Sequence, residues 1–214
     1  MPPAAASLSS LRQLLATRFP QASRPAGGVL PTGIPSVDDA TGGLPRHALT
    51  ELVCAGASTG SQLFIAQLLA VTRALPARVA LIDGADQFDP QSFPETDLSH
   101  LLWVRCRTPA DAMPVADLLA REANLDLVLL DFVSCPLPGL RRIAAATWYR
   151  LQRAAEQTDL AFVVLTPATL VSSAQLRLQI DRALPLSALS VDRPHLAVDL
   201  DVSRQRQRLS VANG

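Results

Sequence analysis

Residues 55–62, Ala-Gly-Ala-Ser-Thr-Gly-Ser-Gln, stand where a phosphate-binding loop is expected, between an apolar run at residues 49–53 and a helical pattern. Such a loop has the form Gly-x-x-x-x-Gly-Lys-Ser/Thr. Its backbone N–H groups wrap the phosphates, its Lys reaches the β- and γ-phosphates, and its hydroxyl binds Mg²⁺. The residues that keep or replace this fingerprint are Ala55, Gly56, Gly60, Ser61 and Gln62.

The replacements remove the groups that hold a nucleotide. Ser61 stands at the Lys position but has no positive charge and is too short to reach the phosphates. Gln62 replaces the hydroxyl residue, and its longer side chain changes the geometry at the metal. Losing two charge-assisted contacts of about 1.5–3 kcal/mol each weakens nucleotide binding by very roughly 10²–10⁴-fold. Ala55 also lacks the freedom of Gly to adopt positive φ.

No lysine elsewhere in the chain can replace the missing Lys of the loop, because all 19 basic residues are Arg. The loop is therefore predicted to be a relic, with no nucleotide cofactor and no ATP hydrolysis. Weak nucleotide contact through the backbone of residues 56–60 remains the alternative.

The segments around the loop predict an α/β domain. Continuous apolar runs alternate with helical patterns, which is typical of a mostly parallel sheet covered by helices on both faces. The predicted buried strands are residues 78–83, 101–106, 125–133 and 160–167, and the predicted helices are residues 63–75, 108–123 and 140–157. Residues 176–180 and 196–208 alternate apolar and polar side chains and are predicted to finish the sheet as an antiparallel strand pair.

Four segments, in this order, resemble the RecA-type recombinases. They are residues 32–52 (TGIPSVDDATGGLPRHALTEL), 80–90 (ALIDGADQFDP), 96–106 (TDLSHLLWVRC) and 126–131 (DLVLLD). The resemblance covers roughly residues 30–208. It implies a RecA-like core at residues 30–214, preceded by an N-terminal helix and a Pro/Gly linker within residues 1–29.

The resemblance also implies where catalytic groups would lie. Aligning the Asp-Pro turn places Ala85 at the position of the acid that orients the attacking water, so that acid is lost. Asp86, one residue further along, is the one candidate that could replace the missing acid from a shifted position. Asp131 ends a strand of Walker B form, where a carboxylate would hold Mg²⁺ through water, although a strand-end Asp can equally cap the next loop.

The N-terminal segment raises a separate question. Residues 9–19 have the pattern of a short helix, and residues 20–28 that of a flexible linker. Recombinases polymerise by placing an N-terminal element on the next subunit. Docking on a neighbour and folding back onto its own domain both remain open.

Within the superfamily, the short length and the segments LLWVRC and TWYRLQRAAE most resemble the ImuA family. This resemblance implies a non-catalytic accessory role in SOS-induced mutagenic translesion synthesis. The implied partners are an ImuB-type Y-family polymerase homologue, the recombinase RecA and an error-prone DNA polymerase. The alternatives are a divergent but active RecA-superfamily ATPase that binds DNA, and a SulA-like inhibitor of cell division.

Two surface features are candidates for partner binding. Arg204, Arg206 and Arg208 alternate with Gln and are predicted to share one strand face, either as a solvated edge or as a docking strip. Trp148 lies beside the apolar stripe of its helix and is either an exposed anchor or a core residue.

Composition excludes several function classes. The formal net charge is zero, and the segments at residues 132–139 and 167–175 are short and poor in the Arg, Gly and aromatic residues that line a DNA path. Direct DNA binding is therefore predicted to be weak.

The N-terminus lacks a signal-peptide pattern and no apolar run is long enough to cross a membrane, so a cytoplasmic protein is expected. Three scattered Cys and three His share no metal-ligand spacing, so no metal is predicted.

Overall fold

A seven-stranded sheet is the centre of the computed structural model, which describes residues 28–56 and 58–207. The first two strands of the chain, β1 (Val29–Leu30) and β2 (Leu44–Pro45), lie outside this sheet. The seven strands of the sheet are β3 (Ala48–Cys54), β4 (Val79–Asp83), β5 (Leu101–Arg105), β6 (Leu127–Asp131), β7 (Ala161–Thr166), β8 (Leu176–Ile180) and β9 (Ser203–Gln207). The sheet order is β5-β4-β6-β7-β3-β8-β9, and β8 and β9 form its antiparallel pair while all other neighbours are parallel. β1 and β2 pair separately. The predicted α/β architecture, including the C-terminal antiparallel pair, is confirmed.

Helices connect the parallel strands. They are α1 (Pro35–Thr41), α2 (Ser61–Ala74), α3 (Glu95–Leu98), α4 (Pro109–Leu119), α5 (Leu137–Leu140), α6 (Ala145–Glu156) and α7 (Arg193–Val198), with 3₁₀ turns at Pro90–Ser92 and Leu186–Ser190. α4 starts as its sequence predicts, because the Thr108 hydroxyl accepts a hydrogen bond from the Asp111 N–H at 3.2 Å.

The sheet separates two apolar layers. Side chains of β7 alternate between them, so that Val163 and Leu165 pack with α1, α2 and α7, whereas Phe162 and Val164 pack with α4 and α6. All of these strand residues are fully buried. The continuous apolar runs in the sequence follow from this arrangement, because both faces of the central strands are covered.

The carboxyl ends of the parallel strands meet at one edge of the sheet. β3 ends at Cys54 and β6 ends at Asp131, and Asp83 at the end of β4 lies beside Asp131 in the ladder. The loops that follow these strands therefore lie next to one another. The carboxyl edge brings the loop after β3, which the sequence predicts to be a relic and which is called the relic loop below, close to the Walker B-like carboxylate of Asp131.

Two predicted boundaries were wrong. The helix predicted at residues 140–157 begins only at Ala145, as α6, because Ala144 has an extended backbone with φ −63° and ψ 141°, and Leu140 instead ends the short helix α5. The strand predicted at residues 196–208 begins only at Ser203, because α7 takes the preceding segment and buries Ala197 against the core.

Trp148 is a core residue and not an exposed anchor, so its prediction as an interaction candidate is corrected. Its side chain is only 2% exposed. The buried face of α6 runs through Trp148, Leu151 and Ala155, whereas the stripe predicted from the sequence passed beside Trp148. The neighbouring Tyr149 is the exposed aromatic side chain on this helix.

The predicted common face of the arginines in β9 is also corrected. Arg204 pairs with Leu178 and Arg206 pairs with Arg177, and the ladder register shifts by one residue between Arg177 and Leu178. Since cross-strand partners share a face, this irregularity turns Arg204 and Arg206 to opposite faces of the sheet. Arg204 donates a hydrogen bond to the Ala40 carbonyl at 2.7 Å.

Some predicted features lie outside the described residues. These are Arg208, the predicted helix at residues 9–19 and most of the linker at residues 20–28. They stay predictions.

Candidate functional site

The relic loop joins β3 to α2 at the carboxyl edge of the sheet. Gly60 precedes α2 with a left-handed backbone at φ 95°, a conformation that favours glycine. Its carbonyl accepts the first helical hydrogen bonds, from the N–H groups of Leu63 at 2.9 Å and Phe64 at 3.0 Å. The retained glycine is thus explained by the turn from strand to helix, which this loop needs whether or not a phosphate binds.

Gln62 bonds directly to the Walker B-like carboxylate. Its Nε2 amide donates to Oδ2 of Asp131 at 3.1 Å, while Oδ1 accepts from the Val133 N–H at 3.0 Å. In a working site a hydroxyl and this carboxylate would share the shell of a Mg²⁺ ion. Here the Gln62 amide donates a hydrogen bond to one carboxylate oxygen of Asp131, and a backbone N–H donates to the other. Within the described residues no group of His, Cys, Asp and Glu is arranged to hold a metal.

The surroundings of Asp131 favour its protonated form. Burial raises the pKa of this carboxyl from 3.8 to about 6; the nearby Asp83 adds to the rise, and the hydrogen bonds from Val133 and Gln62 oppose it. Burial, with a further contribution from Asp131, raises the pKa of the adjacent Cys54 thiol to about 12.

The raised pKa of Asp131 predicts a pH-dependent stability difference. Because its folded pKa of about 6 lies above its ordinary 3.8, the group stabilises the fold at low pH and loses this contribution as the pH rises through about 6. We expect Asp131→Asn to gain stability relative to the unmodified protein between pH of about 4 and 7, as measured by urea unfolding.

Asp86→Asn is the matched control for that experiment. Arg105 lowers the pKa of the Asp86 carboxyl, so its neutral variant should show no such gain as the pH rises. A stability difference for Asp131→Asn that does not change with pH would contradict the assignment.

The acidic side chains nearest to Ala85 in sequence are held by hydrogen bonds within this part of the fold. Ala85 occupies the aligned position, as the resemblance implies. Asp86 has φ 55° and is held by Arg105, through contacts of 2.7 Å to Nε and 3.0 Å to Nη2. The buried Asp83 instead accepts hydrogen bonds from the N–H groups of Gln87 at 3.0 Å and Phe88 at 2.8 Å, so it shapes this loop.

The C-terminal segment covers the relic loop with apolar side chains. The Leu184 N–H donates to the Ser58 carbonyl at 2.9 Å. A Cβ added at Gly60 would lie only 2.7 Å from Cδ2 of Leu200, which packs directly on the loop. Beneath this cover is a cavity of about 790 Å³ lined largely by the loop and by leucines, and Leu186 and Leu189 at its rim are each 86% exposed. The cavity therefore combines polar side chains of the loop on one side with apolar groups of the C-terminal segment on the other.

A buried ion pair beside the site was not predicted. Glu51, in the middle of β3, is fully buried and its Oε2 lies 2.6 Å from Nε of Arg177 on β8. Its Oε1 accepts from the N–H groups of Leu170 at 2.6 Å and Val171 at 2.9 Å. The acid therefore anchors the connection between β7 and β8. The signal in the sequence was a single Glu inside an apolar strand.

The remaining candidate groups take structural positions. His47 lies 3.2 Å from Asp159, and His100 lies 2.9 Å from the Thr72 hydroxyl. The cysteines are all buried and unpaired, and they are Cys54, Cys106 and Cys135. None of the helices in the described ranges has the length and hydrophobicity needed to span a membrane.

Comparison with known proteins finds distant similarity to RecA. The chain is 31% identical to Protein RecA of Clavibacter michiganensis subsp. michiganensis over 114 residues, which is 51% of this chain and 31% of that protein. It is 32% identical to Protein RecA of Mycolicibacterium smegmatis over 114 residues, 51% of this chain and 32% of that protein. No family model matches the chain.

This similarity supports a RecA-like superfamily. The chain spans about one third of the length of the curated relatives it matches. The similarity to RecA agrees with the observed sheet, in which a loop of P-loop type follows β3 and an acidic residue ends β6.

Proposed function

We propose that this chain is a non-catalytic RecA-like protein that acts by binding other proteins in SOS-induced mutagenic translesion synthesis. Its proposed partners are an ImuB-type Y-family polymerase homologue, RecA and an error-prone DNA polymerase. This finer assignment rests on the resemblance of LLWVRC and TWYRLQRAAE to the ImuA family.

The observation that carries the non-catalytic part is the hydrogen bond of 3.1 Å between Gln62 and Asp131. It joins the two positions that would otherwise bind Mg²⁺, and Ser61 beside it supplies no positive charge. The apolar cover formed by Leu184 and Leu200 supports the same conclusion, because it does not complement a charged triphosphate.

The test is a binding experiment with purified proteins. The tagged chain is mixed with the ImuB-type homologue and, separately, with RecA, each with and without Mg·ATP, and complexes are separated by gel filtration. We expect a complex with the ImuB-type homologue that does not depend on nucleotide. Saturable ATP hydrolysis that Asp131→Ala abolishes would instead establish an active ATPase.

A capping role on RecA filaments is tested separately. A defective subunit that fits the end of a filament but does not accept the next subunit would block further extension. We expect an excess of this protein to slow RecA assembly on single-stranded DNA, followed by light scattering. Unaltered growth at excess protein would remove capping from the proposal and leave the polymerase partners to be judged on the gel-filtration result.

A further inference from the structure

A groove runs between α4 and α6, on the face of the sheet opposite the helix of the relic loop. Its volume is about 790 Å³. Apolar side chains form part of its lining, and Met113 and Ile143 among them also pack onto the core layer beneath. Pro114, on α4, is exposed within the same groove. The apolar side chains that line the groove are therefore partly exposed to solvent.

The rim of this groove is basic. Arg121, Arg142 and Arg150 line it, against one acidic residue, Asp117. Asp117 is already paired with two of these arginines, at 3.3 Å from Nη2 of Arg121 and 2.9 Å from Nε of Arg150. In the part of the chain that the structure describes, Arg142 is exposed and makes no ion pair or side-chain hydrogen bond. A chain of zero net charge thus concentrates positive charge at an apolar groove.

We propose that this groove binds an acidic amphipathic helix of a partner protein. Two antiparallel or crossing helices with an apolar furrow between them accept a third helix through its apolar face, and the arginines at the rim match carboxylates flanking that face. α6 has 12 residues, which corresponds to a length of about 18 Å, so the groove matches about three turns of the partner helix.

Nucleic acid is the less suitable occupant. Its phosphates would engage the arginines but would leave the apolar side chains of Met113 and Ile143 unused. The residues lining the groove include no aromatic ring on which a base could stack. An acidic helix uses both the charged rim and the apolar floor.

The inference goes beyond the proposed function and does not depend on it, because the groove is separate from the loop that would bind nucleotide. An active ATPase of this fold would carry the same surface. Failure of the polymerase-binding experiment would therefore leave the groove to be judged on its own test.

The test uses a labelled helical peptide of about 18 residues, with one face of Leu and Ala and the other of Glu, and fluorescence anisotropy with the full chain. Two peptides of the same apolar face carry Gln or Lys in place of Glu, and a labelled oligothymidine serves as the nucleic-acid probe. We expect saturable binding of the Glu peptide that weakens as salt is raised.

Arg142→Glu is the informative variant, since Arg142 makes no contact that folding requires. It should weaken binding of the Glu peptide by about tenfold or more. Arg182→Glu, an exposed arginine after β8 towards the other end of the sheet, should change binding by less than about twofold. Circular dichroism shows that each variant is folded.

Three results would overturn the proposal. One is the absence of saturable binding by the Glu peptide, and another is equal binding of the Lys peptide. The third is a loss of oligothymidine binding on Arg142→Glu without any loss of peptide binding, which would assign the groove to nucleic acid.

Discussion

Replacing Ser61 by Lys and Gln62 by Thr together is expected to raise the affinity for Mg·ATP by about 10²–10⁴-fold. The Lys supplies the ammonium group for the β- and γ-phosphates, and the Thr supplies a hydroxyl for Mg²⁺. Removing Gln62 also releases Asp131 from the amide hydrogen bond of 3.1 Å. Isothermal titration calorimetry with Mg·ATP measures the change.

The control is Ser61→Met with Gln62→Thr, which adds a long side chain at the same position without its charge. It should recover little affinity, since the missing interaction is electrostatic. Micromolar Mg·ATP affinity of the unmodified protein would contradict the relic assignment. Equal affinity of the Lys and Met variants would show that charge at Ser61 is not what the loop lacks.

Arg177→Ala is expected to lower the free energy of unfolding by about 3–5 kcal/mol. The substitution leaves Glu51 fully buried without the guanidinium that lies 2.6 Å from it. An uncompensated buried charge is one of the most destabilising changes in a folded domain. Denaturation with guanidinium chloride, monitored by circular dichroism, measures the loss.

A double-mutant cycle separates the ion pair from simple loss of packing. Glu51→Gln removes the charge while keeping an acceptor oxygen for the N–H groups of Leu170 and Val171. The double variant should therefore lose less stability than the sum of the two single variants. Arg153→Ala, on the exposed face of α6, should change stability by no more than about 0.5 kcal/mol. Additive effects in the cycle would refute the coupling of Glu51 and Arg177.

Much of the scaffold could be predicted because its strands are covered on both faces. The runs that became β4, β6 and β7 are apolar at nearly every position, which is the pattern that two-sided burial imposes. Thr108 marked the start of α4 correctly, since a side-chain cap is a local feature. The predicted boundaries were wrong at the break before α6 and at α7, where neither two-sided burial nor a side-chain cap marks the element.

The candidate site was predicted in part. The position of the loop between β3 and α2, and the carboxyl edge where Asp131 ends β6, both follow from segment order along the chain. The contact between Gln62 and Asp131 does not, because these residues are 69 positions apart. Leu184 and Leu200, which form the apolar cover, lie even farther along the chain from the loop, so that no local signal predicts their contact with it.

The sequence by itself determined which chemical groups are present at the relic loop, with no ammonium at Ser61 and no hydroxyl at Gln62, and that Ala85 after β4 carries no acid. Those absences are properties of residue type and need no coordinates. Tertiary structure alone decided what the remaining groups do. It joined Gln62 to Asp131.

Tertiary structure also decided the fate of the surface candidates. It buried Trp148, and it turned Arg204 and Arg206 to opposite faces through a one-residue shift in register. The physical reason is common to all of these outcomes. Side-chain type and local periodicity are encoded along the chain, whereas partners and facing are set by which strands become neighbours and in what register.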